Sequence, residues 1–235
     1  MTDQGSSETR YEIRPSGPFS LEAARGFAGG FSPGIGGGGI EASGLVMAFP
    51  VEGWQGSAAA HVTQDEDGVV VVRQVTTGDA DPQVARQQVE RCLSLDVDGV
   101  GWPAVGQRDP VIGRLQDHHR FLRPVCFYSA YEAVTSFVIG QRIARRQAAR
   151  VKASLSEQFG DQLELDGRRY AAFPRPARLL DLGDVPGLAA VKVERLRGLA
   201  RAALDGVLDT ERLRALPRDE AIDELRRLNG VGGFT

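Results

Sequence analysis

Cysteine is nearly absent from this 235-residue sequence: Cys92 and Cys126 are the only two. They are too few and too isolated for a disulfide framework or a four-ligand zinc site, so both are expected as buried thiols. No continuous apolar run is long enough to cross a bilayer, which predicts a soluble protein with no membrane partner. Met1 to Arg14 is polar and mixed in charge, without the basic start and apolar segment of a secretory signal; the cytoplasm is the expected compartment. Histidine is scarce too. His61, His118 and His119 have no Cys or carboxylate at metal-ligand spacing, so structural or solvent-facing roles are expected. The glycines at 34, 36, 37, 38 and 39 are followed by no Lys-Ser or Lys-Thr pair, which excludes a phosphate-binding P-loop and predicts a loop or strand-edge connection over Phe31 to Gly44.

What is present is ordinary for a globular protein, with 42% apolar and 25% charged residues, and the length suits two modest domains. The net charge of -3 hides an asymmetry. Residues 1–110 carry 7 Lys and Arg against 15 Asp and Glu, whereas residues 111–235 carry 21 against 16, and all but two of those 21 cations are arginine. An arginine-dominated half suits phosphate, because each guanidinium stays charged and pairs two oxygens at once; a solvated helical surface is the other reading of the same charges.

The pattern along the chain is α+β and then α. Residues 1–16 read as a flexible tail. Leu45 to Val51 and Ala58 to Val75 read as strands, the second stretch broken into a hairpin at Asp65-Glu66-Asp67-Gly68, and Val69 to Val72 is β-branched throughout, as in a well-covered strand. Asp81-Pro82 opens a helix reaching Leu93. An antiparallel sheet with helices is therefore expected over 17–110, and an all-helical domain over 111–235. In the latter, Val134, Phe137, Val138, Val151 and Leu155 fall at helical spacing while Arg142, Arg146 and Arg150 step by four along another face. A further helix carries Leu196, Leu199, Ala203 and Leu204 and stops at Gly206, and a last one begins at Asp219-Glu220, buries Ile222, Leu225 and Leu228, and ends at Asn229-Gly230.

The last eight residues, Leu228-Asn229-Gly230-Val231-Gly232-Gly233-Phe234-Thr235, have the form of a helix-hairpin-helix turn. Its backbone amides, with those of a following helix start, bind a phosphate oxygen without reading a base; a helix cap followed by a glycine-rich loop accounts for the same residues. Three more stretches agree in order and spacing: Tyr131-Glu132-Ala133-Val134 leading to Ile139-Gly140-Gln141-Arg142-Ile143; Val185-Pro186-Gly187-Leu188 followed by Lys192 and Leu199-Ala200; and Gly206-Val207-Leu208-Asp209. With Asp109-Pro110, Leu122-Arg123-Pro124 and, more weakly, Pro18-Phe19-Ser20, they resemble the helix-hairpin-helix DNA glycosylase superfamily, in particular the alkylpurine branch that includes 3-methyladenine DNA glycosylase II. The likeness extends over nearly the whole chain.

That resemblance implies a TBP-like N-terminal sheet domain, a helix-hairpin-helix glycosylase domain incomplete at its C-terminus, and an enzyme of base-excision repair that hydrolyses the N-glycosyl bond of an alkylated or otherwise damaged purine. Its partner is double-stranded DNA holding the damaged base; no cofactor is implied, a monomer is expected, and a bacterial nucleoid is where it would work. The phosphate-binding hairpin comprises Gly230, Val231, Gly232, Gly233 and Thr235, with a monovalent cation possible on the carbonyls of Leu228 and Val231 and no other metal. Flipping the target base costs roughly a few kcal/mol, and the gap needs a wedge. The residue after the family's gly-gln pair, Arg142, takes that place where leucine or glutamine is commoner; it either stacks between bases or contacts only the backbone. Gln141 either hydrogen-bonds near the opened site or caps a local backbone group.

Phe234 stands where strand-cutting branches carry a nucleophilic lysine. The resemblance there is to branches with an aromatic residue that stacks on an electron-poor base, so a monofunctional glycosylase is implied. The essential aspartate falls beyond Thr235 in the family's pattern, so no catalytic residue is assigned within the chain and these 235 residues are expected to be inactive. Asp181, Asp184, Asp209 and Asp223 sit at loop or helix-start positions that capping explains. Two other readings remain: a non-catalytic, sequence-independent DNA-binding module, and a structural protein that never meets DNA.

Overall fold

The computed structural model describes residues 7–30, 39–41, 44–119 and 121–233. Its first layer is an antiparallel sheet of β1 (Ser7–Ile13), β2 (Gly39–Glu41), β3 (Gly44–Pro50), β4 (Ser57–Gln64) and β5 (Val70–Thr76), in the order β1-β5-β4-β3-β2. The hairpin at Asp65–Gly68 joins β4 to β5, and Gly68 takes the left-handed φ of +80° that the turn requires. The tail expected over 1–16 is instead strand from Ser7 onward. Thr9, Tyr11 and Ile13 alternate with more exposed residues, and Tyr11 pairs with Val72 while its hydroxyl donates to Gln74 Oε1 at 3.0 Å. Only three inward residues are apolar or half-apolar, so the period of two is faint against polar neighbours.

Two helices cover one face of this sheet: α1 (Leu21–Gly30) and α2 (Pro82–Cys92). Asp81 caps α2 by accepting the Gln83 amide, and proline occupies the first turn, where its missing N–H costs nothing. Leu21, Ala24, Ala85 and Val89 pack there on Met47, Phe49, Ala60, Val62 and Val72. Two helices follow α2: α3 (Trp102–Arg108) and α4 (Pro110–His119) pack on each other, and of their residues only Gln116 is buried. Arg123 then ties this connection down, donating to the carbonyls of Ser16, Pro18, Ser94 and Val97.

The helical layer contains α5 (Ala130–Gly140), α6 (Arg145–Phe159), a short hairpin of β6 (Gln162–Leu165) and β7 (Arg168–Ala171), then α7 (Pro176–Leu179), α8 (Ala190–Leu204), α9 (Thr210–Ala215) and α10 (Arg218–Arg226). Leu163, Leu165 and Ala172 of the hairpin region cover the second face of the sheet, against Val46, Ala48, Ala59 and Val75. With both faces covered, β3 is buried along its whole length, which explains its unbroken apolar run. The first core ends at Tyr128, stacked on Phe49 at 4.7 Å, and the second begins at Tyr131. The switch of cores thus falls after residue 128 rather than at 110.

Around Tyr131 the second core gathers Val138, Leu155, Phe173, Leu196 and Leu199, all buried, each side chain of this size contributing roughly 1.5–3 kcal/mol. Ser129 caps α5 by accepting the Glu132 amide at 3.1 Å. Ile222, Leu225 and Leu228 were expected as a buried stripe, but α10 has no buried residue; it lies at the margin, where Leu225 and Leu228 are only half-covered. Of the two expected buried thiols, Cys92 is buried and Cys126 is exposed. The latter lies in the connection, where its amide pairs with Cys92 O and its carbonyl accepts from Cys92 Sγ. Among the described residues no helix is long and apolar enough to cross a membrane.

Candidate nucleic-acid interface

Three segments far apart in sequence meet at one end of the helical layer: the turn between α5 and α6, the start of α8, and the turn after α10. They line a cleft of about 940 Å³ that includes Arg142, Lys192, Arg195 and Gly230 to Gly233 and, among the described residues, no carboxylate. Two helices begin at its rim. The N-caps of α6 and α8 are Ala144 and Ala189, neither of which offers a side-chain acceptor, so these positive helix ends carry no built-in anion from their caps. Such an end accepts phosphate.

The α5–α6 turn departs from the expected geometry. Arg142 was expected one step along a helical stripe with Arg146 and Arg150, but it precedes α6 and has φ of +56°. Gln141, at φ -56° and ψ 125°, and Arg142 form the centre of a type II turn, in which the Ile143 amide approaches the Gly140 carbonyl at 3.4 Å. The second central position of such a turn normally takes glycine or asparagine. The spacing of four was coincidental, and the result is an exposed arginine at the apex of a tight turn.

The Gln141 side chain bridges two turns distant in sequence. Its Nε2 donates to Gly230 O at 2.6 Å, while its Oε1 accepts from Arg195 Nη1 at 2.9 Å. The side chain therefore joins the α5–α6 turn to the second turn. Its own carbonyl and that of Ile139 accept from Lys192 Nζ at 2.6 and 2.8 Å. Burial and the neighbouring Arg195 charge lower the Lys192 pKa.

At the second turn, Gly230 has φ of +92°, and a Cβ there would come within 2.6 Å of Arg195 Cδ. The left-handed φ favours glycine, and a Cβ there would displace the Arg195 side chain. The Val231 amide, expected to face a phosphate, donates instead to Leu228 O at 3.0 Å and closes the turn. That bond leaves the Leu228 carbonyl one lone pair for the monovalent cation the resemblance implies. Gly232 and Gly233 are exposed at the cleft. Phe234 and Thr235 lie outside the described residues. Among the described residues no group of His, Cys, Asp or Glu is arranged to hold a metal ion.

The other singled-out residues lie away from the cleft. Asp209 caps α9 by accepting the Arg212 amide, Asp223 is an exposed partner of Arg226 at 3.8 Å, and Asp181 and Asp184 are exposed in the loop before α8. His61 is buried on β4 with Nδ1 3.0 Å from Asp166 Oδ2, while His118 and His119 end α4. Sequence reasoning missed Arg195 and gave Lys192 no role beyond marking a resemblance. A signal existed: Lys192 is one of only two lysines in the chain.

No protein-family model matches the chain. Over 152 residues it is 30% identical to DNA-3-methyladenine glycosylase of Bacillus subtilis, covering 63% of this chain and 50% of that protein. Over 131 residues it is 30% identical to DNA-3-methyladenine glycosylase 2 of Escherichia coli, covering 53% and 44%. The chain thus spans about half the length of these curated relatives. Among solved structures, a 3-methyladenine DNA-glycosylase from Archaeoglobus fulgidus superposes with TM-score 0.72 and 19% identity, over 95% of this chain and 75% of that one. An 8-oxoguanine glycosylase/lyase from Clostridium acetobutylicum does so with TM-score 0.66 and 19% identity, over 97% and 75%. The chain has the fold of these solved DNA glycosylases, and its sequence is similar over about half their length to the two curated ones.

Proposed function

We propose that this chain supplies the DNA-gripping portion of a monofunctional DNA N-glycosylase, which removes alkylated or otherwise damaged purines from double-stranded DNA in base-excision repair. The observation that carries the reading is the cleft, lined by no carboxylate among the described residues, in which Arg142, Lys192 and Arg195 meet the glycine turn and two uncapped helix starts. Fixed cations and helix-start amides bind phosphate without selecting sequence. Arg142, held out at the apex of its turn, is the group that enters the duplex or lies along its backbone. Gly230 shapes the hairpin, and Gly232, Gly233 and Thr235 supply its phosphate contacts, with a potassium or sodium ion on the Leu228 and Val231 carbonyls supporting the turn. Phe234 stacks on the flipped base. The protein works as a monomer at the bacterial nucleoid.

Chemistry belongs to a carboxylate that stabilises the developing positive charge on the sugar, and the family's pattern places it after the hairpin. The cleft is expected to bind duplex DNA through its phosphates. Binding is tested by titrating the chain onto duplex DNA at increasing salt: each phosphate contact lowers log affinity by about 0.9 per unit of log salt, so a steep loss is expected, and a flat response would overturn the reading. Borohydride trapping on damaged DNA is expected to yield no covalent adduct, since the monofunctional reading assigns no amine nucleophile. A non-catalytic, sequence-independent DNA-binding module is the second reading, since Arg142, Arg195 and the glycine turn at the cleft suit phosphate contact that needs no chemistry. Base release by the whole natural protein, with none by a variant lacking the downstream aspartate, separates the two.

A further inference from the structure

We propose that Lys192 is a positioning residue: its ammonium, seated on the carbonyls of Ile139 and Gln141, holds the α5–α6 turn in the conformation that presents Arg142 to DNA. The inference rests on the DNA-binding reading above. Its starting point is strain. A non-glycine residue in the left-handed region is strained and persists only where its surroundings over-determine it, and Arg142 occupies that region at φ +56°.

What over-determines it is Lys192. The carbonyls of Ile139 and Gln141 belong to the last turn and cap of α5, the negative end of that helix, where a cation is favourable. Lys192 itself lies in the first turn of α8, the positive end, where a cation is unfavourable, and Arg195 stands beside it. Nothing on its own helix rewards the charge, and among the described residues no carboxylate pairs with it. Its compensation comes from the turn. Gripping the carbonyls before and after Gly140 fixes the peptide planes that lead into Arg142. Arg195 completes the clamp through Gln141 Oε1, and Gln141 Nε2 carries it to Gly230 O. The wedge turn and the hairpin are thereby held at one spacing, as a rigid duplex requires.

The experiment compares wild type, Lys192→Met, Arg142→Gly and the double variant on two duplexes, one intact and one holding a tetrahydrofuran abasic analogue beside 2-aminopurine. Wild type is expected to prefer the abasic duplex and to raise 2-aminopurine fluorescence by unstacking it. Lys192→Met is expected to lose about tenfold in that preference, together with the fluorescence rise. Arg142→Gly is expected to lose the same, and the double variant no more, because both act on one element. Without DNA, amide exchange in Lys192→Met is expected to accelerate at Arg142 and Ile143 and not along α8. A Lys192→Met protein that melts earlier yet keeps preference and fluorescence would make Lys192 a packing residue only and overturn the proposal. Should Lys192→Met fail to fold, Lys192→Gln, which loses the charge but retains a donor amide, is measured in its place against the same outcomes. If wild type binds no DNA at low salt, the binding reading falls; unchanged exchange at Arg142 and Ile143 refutes the clamp independently of it.

Discussion

The chain holds 28 basic residues and only two are lysine; both are buried, and the two sites spend a buried ammonium in different ways. Lys152 on α6, 3% exposed, lies 2.7 Å from Glu132, itself 0% exposed, with the rings of Phe127 and Phe173 about the ammonium. Lys192, 8% exposed, meets two helix-end carbonyls and no carboxylate among the described residues. The first arrangement is closed: the charge and its countercharge are buried beside Phe173 of the second core, with Phe127 also beside the ammonium. The second is open on the cleft side and holds a turn in place. A buried charge that is neutralised internally builds a core, whereas one balanced by backbone dipoles transmits a constraint to the segment that owns them.

Breaking the closed site has the largest expected effect. Lys152→Met leaves the Glu132 carboxylate buried without its partner, an outcome that typically costs about 3–5 kcal/mol, read as a fall in urea midpoint. Adding Glu132→Gln is expected to recover part of that loss, because the uncompensated charge is gone. If the double variant is no better than the single one, the pair is not balanced as described.

The same treatment of the open site is expected to cost less. Lys192→Met removes a donor from two carbonyls that the cleft leaves near water, about 1–3 kcal/mol, so its stability loss falls below that of Lys152→Met while its effect on DNA is the greater. Equal stability losses would erase the distinction between the sites. Gly230→Ala sharpens it from the opposite side of the clamp: the left-handed φ and the close approach of Arg195 predict about 1–3 kcal/mol of strain, and displacement of Arg195 loosens Gln141. Weaker DNA binding with an undisturbed second core is the expected signature, checked by salt titration and thermal melting together.

How much of this was legible in the sequence varies by element. The Asp65–Gly68 hairpin, the Asp81-Pro82 helix start and the Gly206 stop were readable, because each rests on a local rule about caps or positive φ. β6 and β7 were passed over although Asp166-Gly167 sits between Leu163-x-Leu165 and Arg168-Arg169-Tyr170, a spacing that signals a two-residue hairpin turn. Arg142 misled for a physical reason: an i, i+4 series marks a helical face only while the backbone stays helical, and one left-handed residue ends it. The Lys192 clamp reaches 51 to 53 residues back along the chain, and no periodicity reports a contact made by tertiary packing.

The comparison also predicts a pH signature, the smallest of these effects. Burial raises the Glu132 pKa above its ordinary 4.5, an effect that Lys152 opposes. Because folded Glu132 holds its proton more tightly than unfolded Glu132, its contribution to stability is fully present below 4.5 and is lost as pH rises through the folded value. Lys192 has the reverse sense. Burial first, and Arg195 second, lower its pKa from 10.5, so between the folded value and 10.5 the unfolded chain binds more protons and stability rises with pH. Glu132→Gln is expected to flatten the acid limb of the stability–pH curve and Lys192→Met the alkaline limb, each measured as the slope of unfolding free energy against pH. A Lys192→Met curve with its alkaline slope intact would mean that the ammonium is not desolvated in the folded protein, and that the open site is a surface contact rather than a buried clamp.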